Sequence, residues 1–592
     1  MLICLLLSST CYMNSNVIPV SALSPHHKIP TLSEIKHNEQ GLLLGQERVI
    51  DAFELLTRTS NQHMYLADLP GIDRCEFIKS LTLNLGAQED QYLHKAINNK
   101  QLTFDWKNDD SAALGDIFST KNQSYQYLSG NIKRADLIGR LAQSNIEAGN
   151  NKTQYIPGAL AQCHYLFICA ESLWKREGLW DLLLEILTHR QYHVHSTLPA
   201  LPLNCKIVLV GSSTQFSVCW VEEALFSLHF PLLGEMVNEL DLGKHSEADY
   251  VCWLLAVAAG VGATLSQSAL VQLFSYSARL ADHQQRLSLL SSQIGHLLAQ
   301  AKAYSGQEEL TGESIIHALK KHQSRHNASE MLSAQNFDDK FINLPTDKFM
   351  VGQINGLTVL ETVEYSYGEP ARITASVHYG DGEVADIERK SELGGNIHAK
   401  GMMILSSCLY RIFGKDAPLH LNANIVFEQS YQEIDGDSAS LAEYCCLISA
   451  ITEKPIDQGI AVTGALDQFG SVQAIGGVNE KIEGFFNLCS RRGLTGTQGV
   501  IIPKSNTQQL NLSPQLIEAI TSGEFHLYGI EHIDEAVEQL MNISAGIADK
   551  DNNFPEDSLY GLVQGRLAGL AGYQDEEKSF FAKLVEKFSF SS

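Results

Sequence analysis

The 592-residue chain is short of positive charge. Its 43 Lys and Arg stand against 68 Asp and Glu, a formal net charge of −25. Nucleic-acid backbones and anionic lipid surfaces are bound by clustered Lys and Arg, so neither is expected as a main partner. No apolar run reaches the roughly 20 residues that a helix needs to cross a bilayer. The most apolar stretch, Val251 to Leu265, contains Gly260 and Gly262 and reads as a buried helix. Cysteine occurs twelve times but never as Cys-x-x-Cys, and the adjacent Cys445 and Cys446 cannot both serve one ordinary metal site. Cys252 and Cys408 lie in apolar surroundings and read as small hydrophobes. With neither metal-ligand spacing nor a disulfide framework, the chain suits a reducing, cytoplasmic compartment and no metal is expected. His193 and His195 share a face if extended, but two such ligands are not a zinc site, and with His189 they read as part of a solvated strand. A basic n-region is missing too. Met1 to Ser9 is a short apolar run, at the lower limit for a signal peptide. The run up to Cys11 is faintly similar to a lipoprotein cleavage box, and Met13 offers an alternative start. Residues 1–40, with Pro19, Pro25 and Pro30, are expected to be an artefactual or disordered leader.

What is present is an ordinary globular composition, 44% hydrophobic and 19% charged, with room for three or four domains. Met64 to Ala67 reads as a buried strand, Leu69 to Arg74 as a turn and Phe77 to Leu85 as a helix. That is the order of a phosphate-binding unit. Residues 87–155 are polar and uneven and predict no element. Strands at His164 to Cys169 and Cys205 to Gly211, with a helix Trp180 to Leu187, imply a parallel sheet covered on both faces. Residues 236–325 read as helical throughout. From Val351 onward, strands are expected at Ala371 to Tyr379, Leu421 to Phe427, Gly459 to Thr463 and Gly499 to Ile502. Helices are expected over Lys400 to Phe413, along the apolar segment Leu441 to Ile451, and from Lys481 to Cys489, with a last pair of helices after the final strand. The fold class is α/β. The expected domains are 41–235, a helical 236–330, 345–545, and a tail over 546–592.

The stretch Ile434 to Lys481 carries the chemistry. It opens Ile-Asp-Gly-Asp-Ser-Ala-Ser around Ser438 and closes Ile-Gly-Gly-Val-Asn-Glu-Lys on Lys481. A serine hydroxyl is a weak nucleophile unless a base takes its proton. A lysine is such a base only when neutral, which requires a depressed pKa. Ile475, Val478, Ile482 and Phe485 would desolvate the ammonium, and a helix starting after Gly476-Gly477 would disfavour a cation through its dipole. Asp435 and Asp437 flank the serine, where acidic groups suit a helix start. Gly394 to Gly401, with His398 and Lys400, leads into a helix and is given no catalytic role.

These residues, with Thr463-Gly464 between them, resemble the proteolytic domain of Lon proteases, most closely the LonB-like branch. The resemblance runs from about Val351 to Met541, and fainter likeness upstream suggests an AAA+-like module with a helical lid around Ser277 to Asp282. It implies a Ser–Lys dyad of Ser438 and Lys481, with Thr463 and Asp435 in support and an oxyanion held by backbone N–H groups near Ser438, at the start of the helix through Leu441. It implies unfolded or damaged proteins as substrates and a homo-oligomer, a hexamer by family habit. It also makes ATP a possible cofactor, yet the expected phosphate loop is degenerate. After Ala67 the sequence runs Asp-Leu-Pro-Gly-Ile-Asp-Arg-Cys-Glu, with Arg74 and Cys75 where Lys and Ser or Thr belong. The acidic pair expected after the later strand is replaced by Cys169 and Ala170. The expectation is a serine endopeptidase working without ATP hydrolysis of its own. An inactive Lon-like scaffold and an ATP-dependent protease with an atypical nucleotide site stay open as alternatives.

Overall fold

The computed structural model describes residues 16–35, 41–83, 89–98, 101–108, 117–144, 152–362, 365–380, 382–414, 419–430 and 433–570. Two compact units divide the chain. One comprises residues 27–281 and 286–318, and the other residues 1–26, 282–285 and 319 onward.

In the first unit, α1 (Glu47–Arg58) precedes β1 (Met64–Ala67), which is buried at every position. The loop after β1 leads into α2 (Arg74–Leu83). β2 (Gln123–Leu128), β3 (Cys163–Cys169), β4 (Lys206–Gly211) and β5 (Leu232–Glu235) complete a sheet of order β5-β1-β4-β3-β2. Every pairing in it is parallel, and Val208, Leu209 and Val210 are fully buried, as strands covered on both faces must be. The described part of residues 87–155, which predict nothing in sequence, contributes β2 and five further strands, among them Gln91–Asn98 paired to Gln101–Lys107 and Arg140–Ser144 paired to Lys152–Ile156. The expectation of helix throughout 236–325 is corrected. Helices Glu247–Gly260, Gln267–Leu280, Ser291–Ser305 and Gly312–His326 are there, but Glu239–Asp241 pairs with Arg286–Ser288, and Thr264–Leu265 with Glu309–Leu310. Among the described residues no helix is long and apolar enough to cross a membrane.

The second unit is built on a seven-stranded sheet. Its strands are β6 (Gln353–Glu361), β7 (Ser366–Tyr379), β8 (Val384–Asp386), β9 (Leu421–Glu428), β10 (Ile460–Val462), β11 (Gly499–Pro503) and β12 (His526–Ile530), in the order β8-β9-β7-β6-β10-β11-β12. β6, β10, β11 and β12 run parallel, and β7 is antiparallel to both its neighbours. Side chains alternate across a strand, and here the alternation feeds two cores. Ile354, Val462, Ile501 and Ile530 join one; Leu357, Ala461, Val500 and Leu527 join the other. The first core holds α4 (Ser440–Thr452), buried at Ser440 to Ser449 and again at Ile451. The second holds α5 (Val478–Arg492) through Val478, Ile482, Phe485 and Cys489. A further helix, α3 (Asn396–Phe413), packs against α4.

The expectation of a disordered leader is corrected in part, and the tail, which predicts no element, contributes a helix. Residues 1–15 and 36–40 lie outside the described residues, but part of the supposed leader is structured. Ile18 N–H donates to the Leu527 carbonyl at 2.9 Å, Gly529 N–H donates to Asn16 at 2.8 Å, and Leu23 is fully buried. Beyond 546, residues 559–570 are helical and bury Leu559, Tyr560 and Val563 in the core of α4, while residues 571–592 lie outside the described residues.

Candidate functional site

Ser438 lies at the entry to α4, and Lys481 in the first turn of α5, so the two approach from opposite faces of the sheet. Between them, beyond the end of β10, stands Thr463. Lys481 Nζ donates to Ser438 Oγ at 2.8 Å and to Thr463 Oγ1 at 3.4 Å, and Thr463 Oγ1 donates to the Ser438 carbonyl at 3.2 Å. The backbone closes the same junction. Gly464 N–H donates to the Ser438 carbonyl at 2.8 Å, and Leu441 N–H to the Gly464 carbonyl at 3.1 Å.

Local sequence explains each placement. Gly436, between Asp435 and Asp437, has φ 126°, which only glycine adopts without strain. Asp435 Oδ1 accepts from its neighbour Gly436 N–H at 3.1 Å and from the N–H groups of Ile397 and His398, at 3.0 and 3.3 Å. It thereby caps the N-terminus of α3 and ties the serine loop to that helix. Gly477, with φ 64°, starts α5 in the left-handed region, and Asn506 holds Ile475 by both its N–H, at 3.0 Å, and its carbonyl, at 2.8 Å. α5 sits on β7 by direct backbone approach. A Cβ on Gly368 would fall on the Glu480 carbonyl and 2.8 Å from Lys481 Cα, and one on Gly484 would fall on the Gly368 carbonyl.

Burial does the electrostatic work. Lys481 is 3% exposed, and desolvation lowers its pKa from 10.5 to about 8 against the opposing charge of Asp437. A useful fraction of this amine is therefore neutral near physiological pH. The oxyanion expectation, N–H groups near Ser438 at the start of this helix, narrows to two residues. Ser440 N–H is committed to the Asp437 carbonyl at 3.1 Å and Leu441 N–H to Gly464, whereas the N–H groups of Ser438 and Ala439 have no acceptor among the described residues. Sequence reasoning missed Asn506, His398 and Glu443. The signal for Glu443 was a lone acid in an otherwise apolar helix.

The loop after β1 forms a second place of interest. Phosphate would sit at the N-terminus of α2, where free N–H groups and the helix dipole favour an anion. That seat is taken by the chain itself, because Asp73 Oδ1 accepts from Cys75 N–H at 3.0 Å and Glu76 N–H at 3.1 Å. Arg74 is bound to buried Asp68 and reaches Cys169 Sγ at 3.9 Å. The residues present do not fit a nucleoside triphosphate with its magnesium: Asp73 occupies the N–H groups that would hold a phosphate, and the basic side chain is already paired with Asp68.

Comparison with known proteins gives the family. Residues 412–543 match the Lon protease (S16) C-terminal proteolytic domain, and residues 264–325 match the AAA+ ATPase lid domain of archaeal LonB. A Lon protease homolog of Haemophilus influenzae is 34% identical over 484 residues, which are 79% of this chain and 79% of that protein. A Lon protease homolog of Escherichia coli is 34% identical over 435 residues, 70% of this chain and 72% of its own. The archaeal Lon protease of Archaeoglobus fulgidus is 27% identical over 281 residues, 46% of this chain and 42% of its own.

Proposed function

Because the chain belongs to the Lon protease family, we propose that it is a serine endopeptidase whose nucleophile is Ser438 and whose base is Lys481. The observation that carries the reading is the 2.8 Å approach of a buried, pKa-depressed amine to the serine oxygen. Ser438 Oγ–H gives its proton to neutral Nζ as Oγ bonds to the scissile carbonyl carbon. The carbonyl oxygen becomes an oxyanion at the N–H groups of Ser438 and Ala439. Lys481, now an ammonium, protonates the leaving amine as the C–N bond breaks. Neutral again, it takes a proton from water, which attacks the acyl carbon and releases Ser438. Thr463 positions the amine, and Asp435 positions the loop. Unfolded or damaged proteins are the proposed substrates, and a homo-oligomer, a hexamer by family habit, is the proposed assembly.

The pH dependence tests the base. With its pKa lowered to about 8, Lys481 gains its neutral form as pH rises, so kcat/KM for a fluorogenic peptide should climb along a limb centred near pH 8. Asp437 opposes the lowering, so Asp437→Asn should move the limb to lower pH. A profile flat from pH 6 to 10 would count against the lysine.

Hydrolysis is proposed to proceed without ATP turnover, on the strength of the self-occupied loop after β1. Phosphate release in the presence of casein should equal the blank while casein is still cut. Release at about 1 s⁻¹, the low end of ordinary enzyme rates, that Arg74→Ala abolished would favour the reading of an ATP-dependent protease with an atypical nucleotide site.

A further inference from the structure

Behind the serine loop lies a cluster of ionisable groups that the proposed reaction leaves unused. Asp386 ends β8, Glu388 follows in the short helix Ile387–Lys390, His398 lies in the first turn of α3 and Glu443 in the first turn of α4. All four are less than a tenth exposed. Glu388 is satisfied, its Oε1 accepting from Phe427 N–H at 3.0 Å. The others converge. His398 Nε2 is 3.3 Å from Asp386 Oδ2 and 3.9 Å from Glu443 Oε1, ion-pair distances, and these three solvent-shielded atoms have no hydrogen-bond partner among the described residues. The Phe427 ring closes the imidazole edge-on at 5.8 Å.

Buried carboxylates without a compensating charge are strongly disfavoured. Among the described residues no Lys or Arg pairs with Asp386 or Glu443, so the only available cation is a protonated His398. The proton affinities agree. Burial pulls His398 down, but the Asp386 hydrogen bond and the charges of Glu443, Asp386 and Glu388 carry it above its ordinary value. Burial pushes Glu443 up to about 7 against the pull of His398, and burial also raises Glu388.

The position of this histidine matters more than its charge alone. Its backbone N–H is held by Asp435, three residues before Ser438, and its ring faces Glu443, five residues after. One residue therefore grips the nucleophile segment on both sides. We propose that His398 is a positioning residue, an imidazolium between Asp386 and Glu443 that locks the first turn of α4 to α3 and fixes Ser438 within hydrogen-bonding reach of Lys481. This inference rests on the endopeptidase reading.

The test uses the full chain with His398→Gln, Glu443→Gln and the double variant. Kinetics are read on a fluorogenic peptide, and hydrogen exchange by mass spectrometry on peptides covering 435–441. His398→Gln should lower kcat at least tenfold with KM within twofold, and should speed exchange in 435–441. Adding Glu443→Gln removes the charge stranded on α4, while Asp386 keeps the Glu388 N–H on its other oxygen at 3.0 Å, and kcat should return to within about threefold of wild type. Wild-type turnover and exchange in His398→Gln would overturn the proposal. So would a loss that persists in the double variant, which would show that shape and not charge matters. If His398→Gln does not fold, the double variant decides: a folded protein with wild-type exchange supports the ion pair, and an unfolded one overturns it. A wild-type protein that cuts nothing and resists a serine-directed boronate would instead defeat the endopeptidase reading, leaving exchange in 435–441 to judge the positioning role.

Discussion

Ser438→Ala and Lys481→Gln are each expected to reduce peptide hydrolysis to background, a loss on the order of 10⁴ to 10⁶ by comparison with other serine hydrolases. The first removes the oxygen that bonds to the acyl carbon. The second leaves that oxygen in place with no group to take its proton, because the remaining neighbour, Thr463 Oγ1, is a hydroxyl of no useful basicity. Residues that act as a unit fail together, so the double variant should be no slower than either single one. Neither change should unfold the protein. Ser438 contributes one hydroxyl at the mouth of α4, and the core around Leu441 and Tyr444 is untouched. In Lys481→Gln a neutral side chain replaces a largely desolvated amine. Casein turnover, labelling by a serine-directed boronate and thermal melting should be measured together. Wild-type turnover in either variant would remove the assignment, whatever the melting curve.

A smaller but still large loss is expected from a residue with no side chain at all. Gly368→Ala would set a methyl group against the Glu480 carbonyl, with Lys481 Cα 2.8 Å away, and backbone cannot swing aside as a flexible side chain can. α5 must then lift from β7. A displacement of about 1 Å in a reacting group costs on the order of 10²-fold in rate, and overpacking costs about 1–3 kcal/mol in stability. Gly484→Ala should behave alike, because its new methyl would meet the Gly368 carbonyl from the other side. Both variants should show lower kcat and a depressed melting temperature, with proton uptake by Lys481 shifted as it becomes more wet. Full activity with a wild-type melt would mean that α5 has slack that this packing denies it.

Much of this architecture can be read from local pattern. β1 was predicted residue for residue, because four apolar residues ending at Ala67 have no other local reading. Ser438, Thr463 and Lys481 meet as the motif implies, since each is carried by a short segment with its own turn chemistry. Elsewhere the information is non-local. β2 is largely half-exposed along its length, so its hydrophobicity does not alternate cleanly. Two-residue strands such as Thr264–Leu265 have no period to detect. Ile18 and Leu23 lie in apolar pairs broken up by prolines, too short to show a period, and only distant segments such as β12 make sense of them. The leader expectation misses residues 16–35 for that reason. His398 was legible as a residue but not as a partner, because its meaning depends on Asp386 and Glu443 arriving from other elements. The oxyanion expectation named N–H groups near Ser438 without saying which, because Ser440 and Leu441 N–H are engaged by Asp437 and by Gly464, the latter in a loop distant in sequence.

The serine and the lysine ride on helices that cover opposite faces of one sheet, and that has a consequence for the protein's own biogenesis. Neither helix can present its residue until β10 has slotted between β6 and β11, two parallel pairings between segments far apart in sequence. Such pairings form late, after local helices and hairpins. On the proposed reading, a chain still being made would therefore expose cleavable peptide before it owned a cutting pair, and the hydroxyl and amine would first meet in a molecule already compact enough to resist them. The order of assembly would then guard against self-digestion during synthesis.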